Sequence, residues 1–359
     1  MTIKICVDDE IFSLQDKFGG ISKVISNHIN FFKDSKSIKF ILPFNYSNNI
    51  HLKSTNFKKK NFLKNFATYK KYKIIRFLNK KKTLSFIKNS RYDILHLSYM
   101  DLKYLNINTK PSLGVIHDLI PEKNSEYFKN LDLYIKKKKR VINKLDHIIA
   151  VSNETKKDII NYYRINEDKI TVIYNSIFVK RRRSVELPEK FILYVGNRNG
   201  YKHFKTLKYI LPEIIKNTHY KLICAGGESV SAEERNYINK NNLEKKIIFK
   251  NFTDEELNYV YFKAKCLVIT SIAEGFGQNI IEAQFNKCPI ICSDIPIFRE
   301  IASKYAIYFK KKNSKDLLKK INNLLDYGYN PMLINNNNLE RFNPIKQKKK
   351  LIKVYKTLI

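Results

Sequence analysis

Two acidic residues, Glu274 and Glu282, stand eight positions apart and bound the run Glu274-Gly275-Phe276-Gly277-Gln278-Asn279-Ile280-Ile281-Glu282. The apolar stretch 266–272 ahead of them reads as a buried parallel strand. A helical pattern at Ile280, Ile281 and Ala283 follows. Strand, glycine loop and helix in that order present free backbone N–H groups and the positive end of a helix dipole at a sheet's C-terminal edge, where phosphate binds. A carboxylate in the loop accepts hydrogen bonds from hydroxyls. A second one, two turns into the helix, reaches another group of the same ligand. Hydroxyls and phosphate on one ligand suggest a nucleotide sugar.

A second basic and glycine-rich run, Gly196-Asn197-Arg198-Asn199-Gly200-Tyr201-Lys202, follows another strand-like stretch, 191–195. Arg198 offers a planar fork for phosphate oxygens and Lys202 a point charge. Gly19-Gly20 follows the first strand, 3–8, and glycine there lets the backbone approach a ligand closely. His117 begins a third run, His117-Asp118-Leu119-Ile120-Pro121-Glu122, at the end of strand 113–117.

The elements that must position these residues alternate along the chain. Strands are expected at 3–8, 38–42, 92–97, 113–117, 147–151 and 169–174, and again at 191–195, 220–225, 246–249, 266–270, 289–292 and 306–309, with helices between. Ser152 is the expected N-cap of a helix running to Tyr163, and Thr253 or Asp254 that of another. The basic, Pro188-containing stretch 180–190 reads as a linker. The predicted class is therefore α/β, with two doubly wound Rossmann-like domains, 1–180 and 190–340, and a C-terminal helical segment, 341–359. A length of 359 residues agrees with two cores.

Beyond Glu282 the chain reads Ala283, Cys288-Pro289-Ile290-Ile291, Ser293-Asp294-Ile295-Pro296 and Phe298-Arg299-Glu300. With the runs above, this resembles the retaining glycosyltransferase family 4 of the GT-B fold, most densely from Val151 to Phe309. The resemblance implies that the first domain faces the acceptor, that the second binds the nucleotide sugar, and that the last helix crosses back to the first. It implies a donor site of Gly19, Gly20, Arg198, Lys202, Gly275, Phe276, Gly277, Gln278, Asn279 and Glu282, with Glu282 on the ribose. Catalytic roles fall to Glu274, holding sugar hydroxyls, and to His117, against the donor sugar. It implies retention of configuration with no metal and no cofactor, Arg198, Lys202 and helix amides stabilising the leaving diphosphate. The sequence departs from the family at His203, where Asn is common, at Glu228, where a third Gly is frequent, and at Gln278-Asn279, where apolar residues are common.

The formal net charge is +35. Codon bias toward Lys, Asn and Ile accounts for part of it. The basic residues Lys58-Lys59-Lys60, Lys64, Lys70-Lys71, Lys73, Arg76 and Lys80-Lys81-Lys82 interleave with Phe57, Phe62, Phe66, Tyr69, Tyr72 and Phe77. That pattern suits a helix lying on an anionic membrane surface. No apolar run is long enough to span a bilayer, and the N-terminus lacks a signal-peptide pattern, so a cytoplasmic protein peripheral to the inner membrane face is expected. The expected partners are a nucleoside-diphosphate sugar, a glycan or lipid-linked glycan acceptor and that membrane surface. A protein or small-metabolite acceptor is the enzymatic alternative. Charge alone also suits a nucleic-acid-binding α/β protein, but no nucleic-acid module is present, and none is expected to bind. The five cysteines fall mostly in apolar runs and read as reduced core thiols, with no zinc spacing.

Overall fold

The computed structural model describes residues 2–14, 19–57, 59, 69–178, 181–216, 218–328 and 336–359. Each apolar run expected to be a strand forms one, and its residues are largely buried, as parallel strands covered on both faces must be. β1 (Ile3–Val7), β2 (Ile38–Ile41), β3 (Ile94–Leu97), β4 (Ser112–Ile116), β5 (His147–Ala150) and β6 (Ile170–Val172) form one parallel sheet in the order β2-β1-β3-β4-β5-β6. β7 (Phe191–Val195), β8 (Lys221–Ala225), β9 (Ile247–Lys250), β10 (Leu267–Ile269), β11 (Ile290–Ser293) and β12 (Ile307–Phe309) form a second, in the order β12-β11-β10-β7-β8-β9. In the second sheet the chain winds outward from β7 through β8 to β9, then returns to lay β10 on β7's other side. The C-terminal ends of β7 and β10 therefore flank a switch point, where doubly wound sheets open a crevice for ligands.

The chain divides into two compact units. The first comprises Met1–Glu122, Phe128–Ser176 and Asn343–Ile359, and the second Lys123–Tyr127 and Ile177–Phe342. Local sequence sets the helix ends. Ser152 caps helix Asn153–Tyr163 by accepting from Thr155 N, and Thr253 forms a capping box with Glu256 ahead of helix Asp254–Lys263. All five cysteines are buried and unpaired.

The C-terminal helix, Pro344–Thr357, belongs to the first unit. Its Tyr355 is fully buried beside Phe32 and Phe40, with ring centroids 6.0 and 6.2 Å away, and its Oη lies 2.9 Å from His96 Nδ1. Gln347 Oε1 accepts from Tyr174 N at 3.0 Å. His28 lies beside His96, ring centroids 5.5 Å apart. Burial pushes the His28 pKa down to about 4, and burial followed by His28 lowers that of His96.

The basic, aromatic segment falls only partly among the described residues. Lys58, Lys60, Phe62, Lys64 and Phe66 lie outside them. Lys59 does not face outward as a lipid contact. Its Nζ donates to the carbonyls of Leu42 and Phe44 at 2.8 and 2.6 Å, and burial pushes its pKa down to about 8. Helix Tyr69–Asn89 follows. Among the described residues no helix is long and apolar enough to cross a membrane.

Since His28 takes a proton near pH 6.5 when unfolded but only near pH 4 when folded, it withdraws stability as pH falls through that window. Asp8 and Glu10, raised to about 7 mainly by burial, act in the opposite sense, so the test is a difference from wild type. A folded His28→Phe variant should show an unfolding free energy whose slope differs by up to about 1.4 kcal/mol per pH unit between pH 6.5 and 4. Urea unfolding curves that stay parallel across that range would contradict it.

Candidate active site

The two basic and acidic runs meet at the switch point of the second unit. β7 ends at Val195, Gly196 turns the chain at φ +123°, and the short helix Gly200–Lys202 carries Lys202 toward the end of β10. Two bonds stitch this turn to the next strand end: Ile272 N donates to Tyr201 O at 2.9 Å, and Thr270 Oγ1 to Lys202 O at 2.8 Å. Lys202 Nζ then lies 2.5 Å from Glu274 Oε1, and Ser271 Oγ donates to the same oxygen at 2.8 Å. Both side chains keep some solvent contact, 23% and 15% exposed, so a polar ligand can reach them. His203 closes the turn at φ +50°, the left-handed region where Asn is also favoured, which accounts for the exchange of these residues there.

Arg198 turns the other way. Its side chain is 3% exposed. Nε donates to Glu234 Oε1 at 2.7 Å, and the terminal nitrogens reach the carbonyls of Glu228 at 2.7 Å and Gly226 at 3.4 Å. The guanidinium carbon also lies 4.8 Å from the Phe249 ring centroid. The fork expected to meet phosphate is engaged by protein in this structure, where it holds the loop after β8. Gly227 lies under it at φ +84°. A Cβ there would stand 2.9 Å from Gly196 O and 3.0 Å from Arg198 Nη1, so the position requires glycine. Glu228 serves through its carbonyl, which a third glycine would supply equally well.

The glycine loop leads into helix Gln278–Phe285, whose cap, Gly277, has φ +89° and no side-chain cap bond. Ile280 N donates to Gly277 O at 2.9 Å, and the N–H groups of Gln278 and Asn279 have no acceptor among the described residues, which leaves them for a ligand or solvent. Asn279 Nδ2 donates to Val195 O at 2.8 Å and ties the helix start to the end of β7. Glu282 accepts from Tyr261 Oη and Gln278 Nε2, both at 3.3 Å. Phe276 is 5% exposed and packs edge-on against Phe342, 5.8 Å between centroids, as a core residue that anchors the loop.

The remaining expected residues lie in the first unit. Gly19 caps helix Gly20–Asn30 in extended geometry, its carbonyl accepting from Ser22 Oγ and Lys23 N at 3.1 Å each. His117 follows β4 directly. Its Nε2 is shut from solvent with no hydrogen-bond partner among the described residues. Burial first, then His28 and Lys138, push its pKa down to about 3, so the imidazole is neutral. A neutral imidazole can donate from one nitrogen and accept at the other, as a sugar hydroxyl requires. Sequence reasoning missed Ser271, Glu234 and Tyr261. Ser231 and Glu234 form a capping box, a pattern legible in sequence. Glu234's contact with Arg198 spans 36 residues and had no local signal. Among the described residues no cluster of three or more His, Cys, Asp or Glu is placed to hold a metal ion.

Comparison with known proteins adds identity to this geometry. The family model for glycosyl transferases group 1 matches residues 176–357, and that for glycosyltransferase family 4 matches residues 59–181. The O-antigen chain mannosyltransferase RfbU of Salmonella typhimurium is 29% identical over 192 residues, 52% of this chain and 53% of that protein. The chain thus spans about half the length of that curated relative. Among solved structures, the lipopolysaccharide outer core galactosyltransferase WaaB superposes with a TM-score of 0.67 at 20% identity, covering 100% of both chains. HepE of Anabaena, in complex with UDP-glucose, gives 0.74 at 16% identity, covering 99% of this chain and 100% of that one. Identities this low establish the fold, which is GT-B.

The buried Arg198–Glu234 pair generates a stability test. Glu234→Ala strands a guanidinium that is 3% exposed. Chemical denaturation should show the second unit destabilised by about 3 kcal/mol. A change within about 0.5 kcal/mol would mean that Arg198 does not depend on Glu234.

Proposed function

The chain belongs to the group 1 glycosyl transferases, and on that premise we propose that it moves a hexose from GDP-mannose or a UDP-hexose to a growing, lipid-linked surface glycan. The observation that carries this reading is the Lys202–Glu274 pair at the switch point, beside the open N-terminus of helix Gln278–Phe285. Lys202 exchanges its carboxylate for the donor's diphosphate. Glu274, still held by Ser271, exchanges its ammonium for sugar hydroxyls. Glu282 takes the ribose. Charge that develops on the leaving diphosphate meets Lys202 and the helix amides, so no metal is required. Arg198 contributes through the loop it holds.

The acceptor hydroxyl attacks from the face the diphosphate leaves, and the leaving phosphate takes its proton, so configuration is retained. In the first unit His117 is the neutral group suited to hydrogen-bond a sugar hydroxyl. The name of the Salmonella relative supports mannose as donor sugar and O-antigen as product, and that of WaaB keeps galactose open.

Lys202→Ala and Glu274→Ala should each lower transfer roughly a hundredfold or more, about 2.7 kcal/mol of transition-state stabilisation, in folded protein. The donor for that assay is whichever of GDP-mannose, UDP-glucose, UDP-galactose and UDP-N-acetylglucosamine raises the melting temperature. Wild-type transfer should survive EDTA. Near-normal turnover in both variants would remove the site assignment, and loss on chelation restored by Mg²⁺ or Mn²⁺ would replace the charge argument with a metal.

A membrane surface is the proposed location of the acceptor. On helix Tyr69–Asn89, Ile74, Phe77 and Leu78 are 48%, 67% and 37% exposed and share one face, with Lys73, Arg76 and Lys81 exposed around them. Exposed apolar side chains ringed by basic ones suit an anionic interface. Changing all three to Ser should weaken binding to phosphatidylglycerol vesicles by roughly tenfold or more. Undiminished binding would move the membrane contact elsewhere.

A further inference from the structure

The strand-end turn that carries His117 rests on a buried ion pair that the donor chemistry does not use. Lys138 lies on helix Leu131–Lys144, and Glu122 ends the His117–Glu122 run. Their side chains are 3% and 0% exposed, and Lys138 Nζ stands 2.7 Å from Glu122 Oε1. The same ammonium donates to the carbonyl of Asp118 at 2.7 Å. Tyr163, at the end of helix Asn153–Tyr163, donates to Glu122 Oε1 at 2.5 Å. Asp118 Oδ1 accepts from Ile120 N at 3.1 Å, which tightens the turn from within. Two helices thus converge on the five residues, 118–122, that follow His117.

Burying a lysine and a glutamate together is a poor way to gain stability. Desolvation offsets the attraction, and an apolar pair of the same volume holds a fold at least as well. What an ion pair with a directed hydrogen bond supplies is placement. Lys138 grips a backbone carbonyl one residue from His117, and Glu122 grips the turn's other end. The ammonium also disfavours protonation of the imidazole. Lys138 has ordinary hydrogen-bond partners in Glu122 and Asp118, whereas His117 Nε2, one residue away, has none among the described residues.

We propose that Lys138, Glu122 and Tyr163 are positioning residues for His117, fixing the turn 118–122 so that the imidazole is held neutral and in one orientation toward a sugar hydroxyl. This rests on the reading of His117 given above. None of the three residues touches the reacting atoms.

The test uses the full chain with ¹⁵N-labelled histidine. Seven histidines give few enough signals to assign, and His117→Ala identifies the one in question. The variants are Lys138→Met/Glu122→Gln, which removes both charges together, and Tyr163→Phe, which deletes one hydroxyl and keeps the ring. In the double variant the His117 nitrogens should change tautomer ratio or broaden, and the pH at which the ring protonates should move. Turnover, with the donor selected from the four nucleotide sugars, should fall about tenfold or more while KM for that donor changes little. On a His117→Ala background the same substitutions should cost less than about twofold. Unchanged imidazole signals, or turnover losses that multiply in full on the His117→Ala background, would overturn the proposal. Should the double variant fail to fold, Tyr163→Phe is judged by the same criteria. Wild-type turnover in His117→Ala would sink the functional reading of that residue, and the imidazole spectrum alone would then decide the positioning.

Discussion

One carboxylate oxygen joins two strand ends at the second unit's switch point. Glu274 Oε1 accepts from both Lys202 and Ser271, and Lys202 arrives from a different strand end. Beside that pair, Ile272 N donates to Tyr201 O and Thr270 Oγ1 to Lys202 O, which also join the turn after β7 to the end of β10. Within the pair, a cation and an anion are held a hydrogen bond apart at the opening of a switch point. The pair is partly solvated, so its net contribution to stability is on the order of 1 kcal/mol. A diphosphate ester of a sugar can therefore displace it at low cost, because the ligand offers Lys202 an anion and Glu274 hydroxyl donors. In the proposed reading, the contact that joins the two strand ends is the one a donor replaces.

Around that exchangeable pair the structure places contacts that are not exchangeable. Arg198 is buried against Glu234 and loop carbonyls, Asn279 ties the helix start to Val195, and Phe276 locks the glycine loop into the core. In the first unit the strand-end turn is held in the same manner, by Lys138, Glu122 and Tyr163. In each unit a buried ion pair fixes the backbone beside a candidate site residue. Buried ion pairs are weak stabilisers and strong constraints on geometry, and one member of each, Arg198 and Glu122, lies in the run that carries a candidate residue, Lys202 and His117 respectively.

The fold and the frame of the site were legible in the sequence because their causes are local. Twelve apolar runs became twelve parallel strands, and Ser152 and Thr253 capped the helices expected of them. The glycines marked real constraints, as at Gly277 and Gly227, where φ is positive, and at Gly227 a Cβ would also collide with the Gly196 carbonyl. What stayed hidden was the choice of partner. Arg198, Asn279 and Lys59 each carry groups that could face a ligand or lipid, and each spends them on protein instead. Those partners lie 15 to 84 residues away, so no local pattern announces them. The high positive charge told less than the fold. It suited nucleic acid and membrane alike, and no local pattern in it chose between them.

The central claim is that donor binding opens the Lys202–Glu274 pair. The direct measurement is a crystal structure with the selected nucleotide sugar bound. The account expects Lys202 Nζ to leave its position 2.5 Å from Glu274 Oε1 and lie on the diphosphate, with Glu274 on sugar hydroxyls and Ser271 still on its carboxylate. A bound donor that leaves the pair closed at its present distance, with phosphate and sugar held by other residues, would contradict it.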